Sequence, residues 1–218
     1  MDFSVQLEEA ADSYWEQILQ HPMVQGIGDG SLDPEPFRHW LCQDFYYLTE
    51  YSRMFAQASS KAPDLKNMGA FAELTRATVE EEMDLHRDLA EEFGLSREEL
   101  EETTPSPTTR GYTDFLVRVS SMGSFEDVLA AQLPCMWGFN HIGLALEEQG
   151  LPNHDSYARW IEKYASEEFV KLTQWGKDLL VSAAKRSPEP DQDRYLELFR
   201  TSARWEYHFW EAAWVQEE

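Results

Sequence analysis

The chain of 218 residues carries 41 acidic against 18 basic side chains, a formal net charge of -23. That charge repels nucleic acid and anionic membrane surfaces, so neither is expected as a partner. Its 42% hydrophobic and 13% aromatic content suffices for a sizeable core, and with no Gly/Ser/Pro-rich linker to divide it, one domain over residues 1–218 is expected.

Taken in order, residues 5–20 read as an amphipathic helix with Leu7, Ala10, Ala11, Tyr14, Ile18 and Leu19 on one face. His21-Pro22 ends it, and Gly26 to Asp33 reads as a loop. Pro34, Glu35 and Pro36 open a long helix to about Ala62, since proline is tolerated in a first turn and acidic groups suit that end of the dipole. A third helix follows Pro63-Asp64 and runs to Phe93, with Gly94 as its C-cap. Ser96-Arg97-Glu98-Glu99 fits a short capped turn of helix. Beyond the proline-bearing loop from Thr103 to Thr109, helices are predicted from Tyr112 to near Gly123 and from Ser124 to Glu148. Three more run from His154 to Tyr164, from Ser166 to near Arg186, and from Asp191 to Val215. Period-two alternation is scarce, so the expected fold is all-α, a bundle of about eight helices.

Two cysteines, Cys42 and Cys135, are too few for a secreted disulfide framework. The first nine residues lack the basic start and apolar core of a signal peptide. The most apolar region, Val128 to Leu146, is interrupted by Gln132, Asn140 and His141, so no bilayer-spanning segment is expected. A soluble protein of the cytoplasm is the expectation. The acidic residues are spread along helix faces, which suggests adaptation to a salty cytoplasm that screens their repulsion.

Three helices carry candidate chemistry. In the second, Trp40, Asp44, Tyr47 and Tyr51 recur at i, i+4, i+7 and i+11 and share a face. A carboxylate on an aromatic stripe either sits at its edge in water or is buried with a partner. In the last helix, Phe199, Ser202, Glu206, Phe209, Trp210 and Ala213 share a face. Glu206 is either a surface glutamate or a desolvated one, and desolvation favours the protonated carboxyl that general acid/base work requires. In the helix between them, Cys135, Phe139, Ile142 and Leu146 line one face, and Pro134 precedes the cysteine. A proline inside a helix costs about 3 kcal/mol, which points to a kink that aims the thiol. Alternatively, Cys135 is a small buried hydrophobe. A thiol, two carboxylates and several tyrosines would together make a nucleophilic site.

Metal chemistry has little support. None of His21, His39, His86, His141, His154 and His208 has an acidic residue three positions before it, as a Glu-x-x-His ligand pair requires. Glu82 and His86 read as an i, i+4 surface pair, and there is no Cys-x-x-Cys. Gly-rich phosphate loops and G-x-S-x-G elbows are absent as well. No metal and no cofactor is expected.

Several ordered stretches carry a family resemblance. They are His21-Pro22, Gln43-Asp44-Phe45-Tyr46-Tyr47-Leu48, Glu80-Glu81-Glu82-Met83-Asp84-Leu85-His86, Tyr112 and Leu133-Pro134-Cys135-Met136-Trp137-Gly138. Tyr164-Ala165-Ser166-Glu167-Glu168-Phe169 and Arg204-Trp205-Glu206-Tyr207-His208-Phe209-Trp210 complete them. Over nearly its whole length the chain resembles the cysteine-bearing branch of the TenA family, also called thiaminase II or aminopyrimidine aminohydrolase, of the haem-oxygenase-like fold. The resemblance implies that Cys135 is a nucleophile adding to a pyrimidine ring and that Glu206 protonates a ring nitrogen. It implies that Tyr164 orients Glu206, and that Asp44 holds the ring amino group and helps to activate the thiol. Tyr47, Tyr112 and Phe139 would line the pocket, Tyr112 as a hydrogen-bond donor. Aminomethylpyrimidine would become hydroxymethylpyrimidine and ammonia, or thiamin would be cleaved, without a cofactor and by a homotetramer.

Two positions depart from the pattern. Phe139 stands where many relatives of this type carry a tyrosine, which removes a pocket hydroxyl, and Cys42 stands where an aliphatic residue is expected and is read as packing. The competing readings are a non-catalytic regulatory or scaffold protein of the same fold and a haem-oxygenase-like oxidase. The oxidase would need a constellation of histidines that the sequence does not offer.

Overall fold

Helix caps and proline positions account for most of the element boundaries. The computed structural model of the chain describes residues 2–218. Among the described residues there are eleven α-helices and one π turn, and no strand. The first, α1 (Phe3–Leu19), is capped by the Asp2 side chain. It buries Phe3, Leu7, Ala10, Ala11, Trp15 and Ile18; Trp15 takes the inward place expected of Tyr14, which is only half-buried, as is Leu19.

The predicted loop after His21 is instead a helix, α2 (Pro22–Asp29). His21 Nδ1 accepts from the Met23 N–H, and Pro22 fills a position whose donor would be orphaned anyway. Gly26 and Gly28 are there for close approach and not for a turn: a Cβ on Gly26 would fall 3.0 Å from the Leu32 backbone, and one on Gly28 2.7 Å from Leu146. Gly30, at φ +79°, ends the helix.

The long helix α3 (Pro34–Lys61) matches the predicted bounds closely. The predicted third helix is divided into α4 (Leu65–Ala77), the π turn (Thr78–Glu82) and α5 (Met83–Glu92). The Met83 N–H donates to the carbonyl of Thr78, five residues back. This one wide turn inserts a residue into the period, a feature frequent at functional sites. Gly94 closes α5 at φ +73°, and α6 (Arg97–Glu101) opens with a full Ser96/Glu99 capping box. Then come α7 (Pro107–Met122), α8 (Phe125–Gln149), α9 (Asp155–Ala165), α10 (Glu167–Ala184) and α11 (Glu189–Trp214). The excess over eight helices comes from α2, from the split at the π turn and from α6.

By backbone proximity the chain groups into two compact units. One comprises the chain through Asp33 together with Leu129–Glu211, and the other Pro34–Val128 with Ala212–Glu218. In the second unit α3 is the spine, packed by α4, the π turn, α5, α6 and α7. In the first unit α1 packs on α2 and α10, and α9 on α2 and α10. Residues 129–140 of α8 are buried without exception. A helix covered on all sides has no reason to be amphipathic, which is why this stretch reads as the most apolar of the chain. α8 continues without a break through Pro134.

Candidate active site

In the second unit, the α3 stripe is wholly interior: Trp40, Asp44, Tyr47 and Tyr51 are all buried. Asp44 is 3% exposed, so it is not at the watery edge. Its partner is His86 of α5, itself 0% exposed, whose Nε2 lies 2.6 Å from Asp44 Oδ2. The other ring nitrogen, Nδ1, lies 2.9 Å from the Glu82 carbonyl oxygen, and the Trp40 ring packs at 5.5 Å. This corrects the reading of His86 as half of a surface pair with Glu82. Burial by itself disfavours the charged imidazole, but the Asp44 hydrogen bond and charge, with Glu82 beyond, outweigh it and hold the His86 pKa above the ordinary histidine value.

That direction has a consequence for stability. A histidine whose folded pKa lies above its unfolded value, about 6.5, stabilises fully below that value and loses its contribution as pH climbs through the folded one. Between pH 6 and 9, the stability of the wild type in urea melts should fall relative to that of His86→Gln. Parallel curves would rule out a raised His86 pKa.

Tyr112, on α7, meets the same stripe. Its ring centroid is 5.1 Å from that of Tyr47, and the Tyr47 hydroxyl donates over 3.5 Å to the Tyr112 oxygen. The α7 end is brought to α3 by Gln43, whose Nε2 donates to the Thr104 carbonyl (3.1 Å) while its Oε1 accepts from the Ser106 N–H (2.9 Å). Cys42, one residue before, is half-buried, and burial pushes its thiol pKa up, partly offset by a hydrogen bond with Thr103.

Four predicted residues lie in the first unit. Cys135 and Phe139 stand on α8, Tyr164 on α9 and Glu206 on α11, and all four are buried. Phe139 sits among rings, with centroids 4.9 Å from Tyr164 and 5.7 Å from Trp210. The backbone of Tyr164 is fixed by Asn140, whose Nδ2 donates to the Tyr164 carbonyl at 2.8 Å. Gly143 lets the helices come that close: a Cβ there would fall 2.7 Å from the Tyr164 carbonyl carbon and 2.8 Å from the Ala165 nitrogen. Backbone cannot step aside as a side-chain tip can, so Gly143→Ala should destabilise the protein by about 1–3 kcal/mol in urea melts. An unchanged midpoint would show that the helices have room to spare.

The chemistry on offer is therefore a buried thiol and a buried carboxylate amid aromatic rings in one unit. The other holds a buried carboxylate paired with an imidazole, beside two phenols. Among the described residues, no three His, Cys, Asp or Glu side chains gather as a metal site, and no helix is long and apolar enough to cross a membrane.

The model of the TENA/THI-4/PQQC family matches residues 8–216. The chain belongs to the TENA/THI-4/PQQC family. A relative from Halalkalibacterium halodurans named "Aminopyrimidine aminohydrolase" is 41% identical over 215 residues, covering 98% of this chain and 96% of its own. The solved TenA homologue from P. horikoshii OT3 superposes with a TM-score of 0.91 at 28% identity, over 99% of both chains. A Shewanella denitrificans domain with a heme oxygenase-like fold superposes with a TM-score of 0.75 at 14% identity, covering 97% of this chain and 92% of that one. The last likeness concerns the fold alone: the all-α fold is haem-oxygenase-like. The TENA/THI-4/PQQC match spans every predicted site residue and also His86, the partner that the sequence reading passed over. A signal for it existed: Met83, His86 and Ala90 recur at i, i+3 and i+7, so the histidine lies on an apolar stripe.

Proposed function

We propose that the protein is a hydrolase of thiamin-derived aminopyrimidines, converting the aminomethylpyrimidine to the hydroxymethylpyrimidine and ammonia in thiamin salvage. The observation that carries this reading is the end-to-end similarity to an aminopyrimidine aminohydrolase; the burial of Cys135, Asp44, Tyr164 and Glu206 supports it. In the proposed scheme the Cys135 thiolate adds to the pyrimidine ring as Glu206 protonates a ring nitrogen, which makes the ring electrophilic. Ammonia then departs from the exocyclic methylene carbon. Water adds to that carbon and passes one proton to the departed ammonia, the thiolate is expelled, and the ring-nitrogen proton returns to Glu206. The net change is one water consumed and one ammonia released, with side chains and water supplying every step. Asp44 accepts from the ring amino group, Tyr164 orients Glu206, and Tyr47, Tyr112 and Phe139 line the pocket.

The same reading takes residues 1–218 as one functional domain of a cytoplasmic homotetramer. It takes the net charge of -23 as an adaptation to high salt. The deciding experiment is to incubate purified protein with aminomethylpyrimidine, and separately with thiamin, in high salt. Ammonia equimolar with hydroxymethylpyrimidine is expected from the first. Turnover of neither compound would overturn the proposal.

A further inference from the structure

The buried Asp44–His86 pair has a property that does not follow from either residue alone. Both imidazole nitrogens of His86 face oxygen acceptors, the Asp44 carboxylate at 2.6 Å and the Glu82 backbone carbonyl at 2.9 Å. A backbone carbonyl cannot donate, so Nδ1 carries a proton. If Asp44 is ionised, Nε2 carries one as well, and the ring is an imidazolium. The charged groups that face it are Asp44 from α3 and Glu82 from the π turn. Its plane is held by the Trp40 ring. The π turn contributes directly: the five-residue step from Thr78 to Met83 presents the following face of α5, with Met83, His86 and Ala90, to the interior. Among the described residues, the other carboxylate oxygen of Asp44, Oδ1, makes no hydrogen bond.

We propose that His86 is a positioning residue: as an imidazolium it keeps Asp44 ionised and pinned through Oδ2, leaving Oδ1 to accept a hydrogen bond from the amino group of the substrate pyrimidine. This deepens the role given to Asp44 above and rests on that reading. An aspartic acid protonated on Oδ1 would present a donor to an amino donor; the histidine prevents this. Specificity for aminopyrimidines over analogues without the amino group then depends on a residue that never touches the ligand.

Two measurements test it on the full-length protein. The first is the ring ¹⁵N spectrum of His86, assigned by its loss in His86→Gln. Both nitrogens are expected to be protonated at pH 8, where an ordinary histidine is neutral. A neutral tautomer there would overturn the inference. The second is the affinity of wild type and His86→Gln for two probes, the hydroxymethylpyrimidine product and its analogue lacking the ring amino group. The variant is expected to bind the product about tenfold more weakly and the analogue unchanged, since one well-oriented hydrogen bond is at stake. Equal loss on both probes would reduce His86 to a structural part and overturn the proposal. If the wild type binds neither probe, the functional reading fails and takes the positioning role with it, whereas a neutral ring in a protein that binds the product sinks the positioning role alone.

Discussion

Cys135→Ser is expected to leave the fold intact and to lower turnover of aminomethylpyrimidine by about a thousandfold or more. The replacement exchanges sulfur for oxygen at nearly constant shape, in a helix covered on every side from residue 129 to residue 140. Packing should therefore survive, with at most about 1 kcal/mol lost if the hydroxyl finds no partner. The chemistry should not survive. A thiol with a pKa of about 8.5 is partly ionised near neutrality and is intrinsically nucleophilic, whereas a serine hydroxyl must have its proton removed by a base at the moment of attack. Pro134, one residue earlier, takes an amide donor away from the carbonyl of Ala130, and we propose that the resulting local freedom tilts Cys135 toward the substrate. Ammonia release and a thermal melt, measured on the same preparation, separate the outcomes. A fold as stable as the wild type with more than a few per cent of its turnover would remove Cys135 from the role of nucleophile.

What could be read before the structure follows from where one-sided burial exists. The α3 stripe of Trp40, Asp44, Tyr47 and Tyr51 was legible because a helix with one wet face writes a 3.6-residue period into its sequence, and all four are interior. Glu206 was legible for the same reason, among Phe199, Ser202, Phe209 and Trp210 on α11. His86 was not. The buried positions pass from Phe71 and Thr78 to Met83, His86 and Ala90, and the step from 78 to 83 is five residues, which no straight helix makes. The stripe of Met83, His86 and Ala90 is short, and Glu82 four residues before the histidine offers the commoner reading of a surface pair. The α2 segment failed for a different reason. Its glycines look like breakers, but Gly26 and Gly28 are needed for contact with Leu32 and Leu146, and a histidine side chain supplies the cap. Nothing in the local sequence distinguishes a glycine that turns the chain from one that admits a neighbour.

Glu206→Gln should cost about a hundredfold to ten-thousandfold in kcat, the range for loss of a general acid or base, with the affinity for the hydroxymethylpyrimidine product changed by no more than a few-fold. Glutamine keeps the length, the carbonyl oxygen and the volume of the side chain, so the surroundings of a residue 3% exposed on α11 need not rearrange. It cannot release or take up a proton, and proton transfer to the ring nitrogen is the step assigned to Glu206. The loss should therefore appear in the rate and not in ground-state binding. The two variants also differ in kind. In the proposed scheme Cys135→Ser removes the atom that forms the covalent bond, so the activity it loses is not expected to return at any pH. Glu206→Gln leaves the thiolate in place, and substrate that is already protonated on the ring in solution can still react. Residual activity in Glu206→Gln should then be nearly flat between the ring pKa of the substrate and the pKa of the thiol, because the protonated-ring fraction gains as pH falls what the thiolate fraction loses. A rate that holds while product affinity collapses would assign Glu206 to holding the pyrimidine and leave the proton to another group.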